Sequence, residues 1–276
     1  MISRDEVAAG MESLPSLSTA LADLLDSFDR DGVGISELVD GIGRDQGLSA
    51  RVLRVANSPF YGRSISGISE AIALIGFYTL TSLVIRISFR DLYRKHQPFE
   101  NLLWEHSLGV SIAASLITAR TKLARPEEAL IAGLIHDIGK ALLNHSIPGA
   151  YSEIIEMTSR DGDPFIEAEN RRLGYNHCEA GRDAARAWNL PEPLQAAIAY
   201  HHAAEAPGIT SAQSRNLCAI VRLADAVCIQ SGIGTKGPAC VTREDCLSAG
   251  LTEDAVKDIS RELEEAYERQ RRQFED

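Results

Sequence analysis

Ala129-Leu-Ile-Ala-Gly-Leu-Ile-His-Asp-Ile-Gly-Lys140 joins an apolar helical run to two ionisable side chains. Pro126 suits the first turn of a helix, and Leu130, Leu134, Ile135 and Ile138 follow it at helical spacing. A histidine and an aspartate at the end of such a run are costly to bury unless they have partners. His136 and Asp137 therefore imply a polar site inside a helical core. Adjacent residues on a helix point about 100° apart, so the pair can grip one metal ion or flank two. Lys140 lies one turn beyond His136 on the same face, where an ammonium group can hold a phosphate oxygen.

Helical periodicity continues on both sides of this segment. Upstream, Leu17, Leu21, Leu24, Leu25 and Phe28 share one face, and Ser36 is placed to cap a short helix carrying Leu38 and Ile42. Leu48, Val52, Leu53 and Ala56 form a stripe ended by Asn57-Ser58-Pro59. Ile68, Ile72 and Ile75 form another, stopped by Gly76. Within 77–91, Val84 to Phe89 also fits a strand, but the helical neighbours favour helix. Leu102, Leu103, His106, Val110, Ala113 and Ile117 mark a long helix. Further helices are expected over 148–160, 164–173, 177–188, 192–203 and 213–230. The Gly-rich segment 231–241 reads as a loop, Thr242-x-x-Asp245 as a capping box, and the charged helix from about 253 as a solvated, partly frayed tail. Gly232-x-Gly234-x-x-Gly237 spells a dinucleotide fingerprint, but no strand precedes it and no βαβ unit surrounds it.

The expectation is an all-α protein of two packed helical subdomains, the second a helical bundle, with strand content near zero. The polar stretch Lys95–Glu100 sets the division. Residues 1–97 form the N-terminal subdomain, 98–230 the subdomain with the metal site, and 231–276 the loop and C-terminal tail.

Composition narrows the function classes. The 276 residues are 45% hydrophobic, enough for a sizeable core, and the net charge of -11 opposes broad nucleic-acid binding. A bound metal or a lysine can still reverse the sign locally for a small anion. The cysteines Cys178, Cys218, Cys228, Cys240 and Cys246 are odd in number and lack a CxxC pair, as expected of reduced thiols in a cytoplasmic protein. Met1 to Gly10 has no apolar signal region. The uncharged stretch Ala71–Ile85 is shorter than the roughly 20 residues that span a bilayer, so no membrane partner is expected.

Five histidines share the helical pattern: His106, His136, His177, His201 and His202. Asp137 and Asp225 join them, while His96 and His145 lack patterned company and read as surface residues. His201-His202 repeats the adjacent-ligand device of His136-Asp137. Imidazole with carboxylate suits Fe, Mn, Zn or Co rather than a thiolate site. A bridging Asp137 is a template for activating water on a phosphoester. Cys178, beside His177, reads as a small buried residue.

Several motifs together resemble the HDOD family, signalling relatives of the HD and HD-GYP metal-dependent phosphohydrolases. They are Leu14-Pro15-Ser16-Leu17, Asp45 with Leu48 to Ser58, Ala71 to Gly76, Leu103-Trp104-Glu-His106-Ser107 and Gly133 to Lys140. Glu169, His177-x-x-x-Gly181, Trp188-x-Leu190-Pro191 and His201-His202 complete them. The resemblance covers roughly residues 14–230. It implies an all-α fold whose second subdomain is an HD-type helical bundle, and a role in bacterial signalling with a signalling-protein partner. It also implies a divalent-metal site of His106, His136, Asp137, His177, His201, His202 and Asp225, with Fe or Mn ahead of Zn, Co or Ni. Whether one ion or two is bound stays open, and Glu169 is a candidate extra ligand, though such a residue is more often solvated or capping.

Asp137 and Lys140 are the candidate catalytic residues, acting on a nucleotide or phosphoester. Ala203 to Gly208 replaces the stretch that holds Gly-Tyr-Pro in the HD-GYP relatives, which argues against cyclic di-GMP as the substrate. The alternative is a non-catalytic regulatory module, binding a ligand or partner around a structural or vestigial metal.

Overall fold

The computed structural model describes residues 21–22, 35–58, 61–62, 65–88, 98–203, 208–235, 237 and 241–272. Among them every regular element is a helix and there is no strand. The stripe of residues 17–28, apart from Leu21, lies outside the described residues. So do the Leu14-Pro15 motif, His96, Cys240 and the linker at 89–97.

Among the described residues the first helices of defined extent are α1 (Ile35–Arg44), α2 (Gln46–Ala56), α3 (Ile68–Ile75) and α4 (Phe77–Ser88). They pack on one another through Leu38, Ile42, Leu48, Val52, Ala56, Ala71, Ile72 and Leu80. Asp45 caps α2 by accepting from the Leu48 amide at 2.9 Å. Ser36 lies inside α1 rather than capping it. Val84 to Ser88 is helical: a buried apolar run fits helix and strand equally, and its length and helical neighbours decide. α4 meets the rest of the molecule against α6 (Pro126–Ile135).

The larger bundle is built around α5 (Pro98–Thr121), which is buried on nearly every side. α5 is long and apolar enough to cross a membrane, but 67% of that apolar stretch is buried inside this fold. It packs against α6, α12 (Ala212–Gln230) and α14 (Glu253–Arg271). Gly133 of α6 faces α5 where an added Cβ would sit 2.7 Å from the Ser111 backbone, so the two helices cross in close contact.

Between α6 and α12 run α7 (Ile138–Ser146), α8 (Pro148–Asp161), α9 (Phe165–Leu173), α10 (His177–Ala187) and α11 (Glu192–Tyr200). α7 and α10 meet at Gly139 and Gly181. A Cβ on Gly139 would fall 1.9 Å from the His177 carbonyl oxygen, so only glycine lets α7 lie this close to the start of α10. Thr242 and Asp245 form the expected capping box on α13 (Arg243–Ser248).

The C-terminal helix differs from the expected solvated tail. α14 lays Val256, Ile259, Leu263 and Tyr267 on the bundle and packs along α5. Those four positions recur at spacings of three and four. The surrounding charge obscures this narrow apolar stripe in the sequence.

Candidate metal centre

Two helix breaks create the centre. α6 ends at His136, and Asp137 begins α7 with non-helical backbone. His136 and Asp137 are thus the turn between two helices, not consecutive positions on one. α11 ends the same way, with His201-His202 as its closing turn. In both turns the histidine Nδ1 lies by the carbonyl three residues back: His136 to Gly133 at 2.9 Å and His201 to Ile198 at 3.0 Å. A carbonyl only accepts, so each Nδ1 carries the proton and Nε2 is left to face the centre.

His106 comes from the middle of α5 and Asp225 from α12. His177 is the first residue of α10, which is started by a reciprocal cap between Asn176 and Glu179. The structure brings all seven of these residues together. Asp137 stands between two groups. Its Oδ2 lies 3.5 Å from His136 Nε2 and 3.7 Å from His106 Nε2, and its Oδ1 lies 3.5 Å from the Nε2 atoms of both His177 and His201. Asp225 Oδ1 is 2.9 Å from His106 Nε2 and 3.9 Å from His136 Nε2. His202 Nε2 faces His177 Nε2 at 3.1 Å.

Lys140 reaches Asp137 rather than open solvent. Its Nζ donates to Asp137 Oδ2 at 2.6 Å and lies 4.9 Å from the centre of the Phe165 ring. His136, Asp137, His177 and His201 are fully buried, whereas the His202 side chain keeps 31% of its exposure. Burial alone would raise the Asp137 pKa, but Lys140 and His136 outweigh it and hold the carboxyl well below its usual range. Burial drives His136 down to about 3, against the pull of Asp137. That imidazole is therefore neutral, as a metal ligand must be.

Glu169 is not solvated, and it takes the first amide of α10. It is fully buried in α9, and its Oε2 accepts from the His177 backbone amide at 2.8 Å and lies 2.6 Å from His177 Nδ1. Its Oε1 accepts from the Tyr151 hydroxyl at 2.6 Å. It fixes the His177 ring so that Nε2 points inward, the carboxylate–histidine arrangement common behind metal ligands. No periodic signal marked it, because it sits on a different helix from the histidine it holds. His145 is half-buried on α7.

The donor set suits a cation. Asp137 Oδ1 and His136 Nε2 are buried without hydrogen-bond partners, which is costly unless something else meets them. Five imidazoles and two carboxylates crowd one another within ion-binding distances, and two subsets have the spacing of a metal site. One is His106, His136 and Asp137. The other is His177, Cys178, His201 and His202.

Comparison with known proteins agrees with this architecture. A protein from Geobacter sulfurreducens, an HDOD domain protein of unknown function, superposes with a TM-score of 0.74 at 29% identity, covering 97% of this chain and 96% of its own. A Marinobacter aquaeolei VT8 protein, provisionally described as a signal transduction protein, superposes with a TM-score of 0.80 at 18% identity. That match covers 96% of this chain and 63% of the other. A Shewanella amazonensis SB2B protein, provisionally described as a phosphohydrolase, gives 0.65 at 23% identity, covering 94% and 93%. At these last two identities the likeness shows the fold alone. An uncharacterized Treponema pallidum (strain Nichols) protein is 24% identical over 199 residues, 71% of this chain. The chain spans only 39% of that relative's length. The family model for the HDOD domain matches residues 14–204, well over half the sequence, and the chain belongs to the HDOD domain family.

Proposed function

We propose that the chain holds a divalent-metal centre at Asp137 and acts in signal transduction as a metal-dependent phosphohydrolase on a nucleotide or other phosphoester. The observation that carries this is Asp137, a fully buried carboxylate whose two oxygens face two separate groups of imidazoles. That placement favours two ions over one. Divalent ions supply Lewis acidity and a nucleophile derived from water.

The chain's own groups supply the rest. His106, His136 and Asp225 would hold an ion on the Oδ2 side of Asp137. His177, His201 and His202 would hold one on the Oδ1 side. Glu169 keeps His177 oriented. Lys140, already charged beside Asp137, offers the one ammonium at the centre that could meet a phosphate oxygen. Entry is by His202, whose side chain is the most exposed of the seven. Ala203 to Gly208, where the chain departs from the Gly-Tyr-Pro pattern of HD-GYP relatives, follow it directly, and residues 204–207 of that stretch lie outside the described residues. A cytoplasmic setting, a signalling-protein partner, and Fe or Mn as the metal belong to the same proposal.

The deep burial of the centre favours a second reading, a regulatory module in which the metal is structural. One experiment separates them: metal analysis of the purified protein, then hydrolysis of phosphomonoesters, phosphodiesters and nucleotides with Fe²⁺ or Mn²⁺ and with chelator. Metal-dependent turnover supports the hydrolase. Bound metal without turnover of any of these substrates leaves the regulatory module.

A further inference from the structure

We infer that Cys178 is a metal ligand, so that the group on the Oδ1 side of Asp137 adds a thiolate to the three histidines beside that carboxylate, a set suited to Zn²⁺ or Co²⁺. This rests on the metal-centre reading above and goes beyond it, because the sequence pattern argued against a thiolate.

Three observations carry it. First, Cys178 Sγ and one ring nitrogen from each of His177, His201 and His202 all lie within 4.8 Å of one another, and Sγ is 4.0 Å from His201 Nε2. Ligands around a tetrahedral zinc, with bonds of roughly 2.0–2.3 Å, stand roughly 3.4–3.7 Å apart. A contraction of at most about 1.4 Å across the cluster therefore closes a coordination shell.

Second, Cys178 is buried, and its thiol meets the imidazoles of His177 and His201. Third, the two sides of Asp137 differ in chemistry. The Oδ2 side offers two imidazoles and the Asp225 carboxylate, a harder set. The Oδ1 side offers three imidazoles and a sulfur, a softer one. Cys228 Sγ, by contrast, lies 3.7 Å from the backbone carbonyls of His106 and Ile233, on the Oδ2 side, and belongs to neither subset with metal-site spacing.

The test uses the full chain loaded with Co²⁺ under reducing conditions. A cobalt–thiolate bond gives a sulfur-to-metal charge-transfer band in the near ultraviolet, which nitrogen and oxygen ligands do not. The band is expected in the parent protein and in Cys228→Ala, and it is expected to vanish in Cys178→Ser, whose hydroxyl keeps the size of the thiol. Cobalt bound to the parent without the band overturns the assignment, as does a band that persists in Cys178→Ser. The parent measurement stands even if that variant does not fold. Failure to bind any cobalt overturns the metal-centre reading itself, and this inference with it.

Discussion

The helices α1–α4 and the bundle from α5 to α12 fill their interiors in different ways. In α1–α4 the buried side chains are Leu, Ile, Val and Ala, joined only by the hydroxyls of Thr79, Thr81 and Ser82 among the described residues. In the larger bundle an equally dry interior holds imidazoles, Asp137, Asp225, Glu169 and Lys140. Apolar burial alone is enough to hold a helical unit together. A buried charged cluster is weak evidence of stability, because desolvation offsets much of the attraction between its members. The contrast teaches that the first region is organised for packing and the second around a polar centre.

The largest expected effect is that of Asp137→Ala. It leaves the Lys140 ammonium buried without its carboxylate, and breaking a buried pair from one side costs about 3–5 kcal/mol. It should also abolish metal binding. Urea unfolding and metal analysis check both, and an Asp137→Ala protein with full metal content would end the proposal that this carboxylate organises the centre. Leu38→Ala, in α1, should cost about 2–5 kcal/mol by leaving a cavity, with metal content per folded molecule unchanged. If Leu38→Ala also loses metal, the two regions are not separable in the way their interiors suggest.

Lys140→Ala should keep the metal and weaken phosphoester or nucleotide binding by about 1.5–3 kcal/mol, the value of a charge-assisted hydrogen bond. Unchanged binding of every phosphate ligand tried would favour the regulatory module. Glu169→Gln removes the charge behind His177 while keeping its shape, and should lower metal affinity about 10- to 100-fold with little loss of helix content. Calorimetric titration of the variant against the parent reads this directly.

The smallest effect is in pH dependence. Burial works to lower the His177 pKa, but the Glu169 carboxylate outweighs it and raises it to about 9. At neutral pH the ion-free imidazole therefore carries a proton that a metal must displace. Metal affinity should fall by up to about tenfold per unit as the pH drops below this value, and less steeply in Glu169→Gln. An affinity independent of pH would show that His177 is not a ligand.

Much of this was legible because its signal is local. The helical spacing of Leu130 and Leu134, and the Thr242–Asp245 cap, depend on neighbours in the chain, and each held in the structure, whereas the stripe did not continue to Ile138, which begins the next helix. The histidines stood out because ionisable residues interrupt apolar runs. The C-terminal helix was misjudged because its charge outweighs the stripe of Val256, Ile259, Leu263 and Tyr267.

By itself the sequence determined the all-helical fold, which follows from periodicity, and it singled out seven ionisable side chains through their helical settings and the HDOD resemblance. Only the tertiary structure decided what surrounds them. Glu169 meets His177 because α9 and α10 lie side by side, and Cys178 meets His201 because α10 and α11 converge. α7 can approach α10 only because Gly139 has no side chain. Contacts of this kind join residues on different helices, and they are set by how closely two backbones approach. That distance is fixed by packing, which no single stretch of chain records.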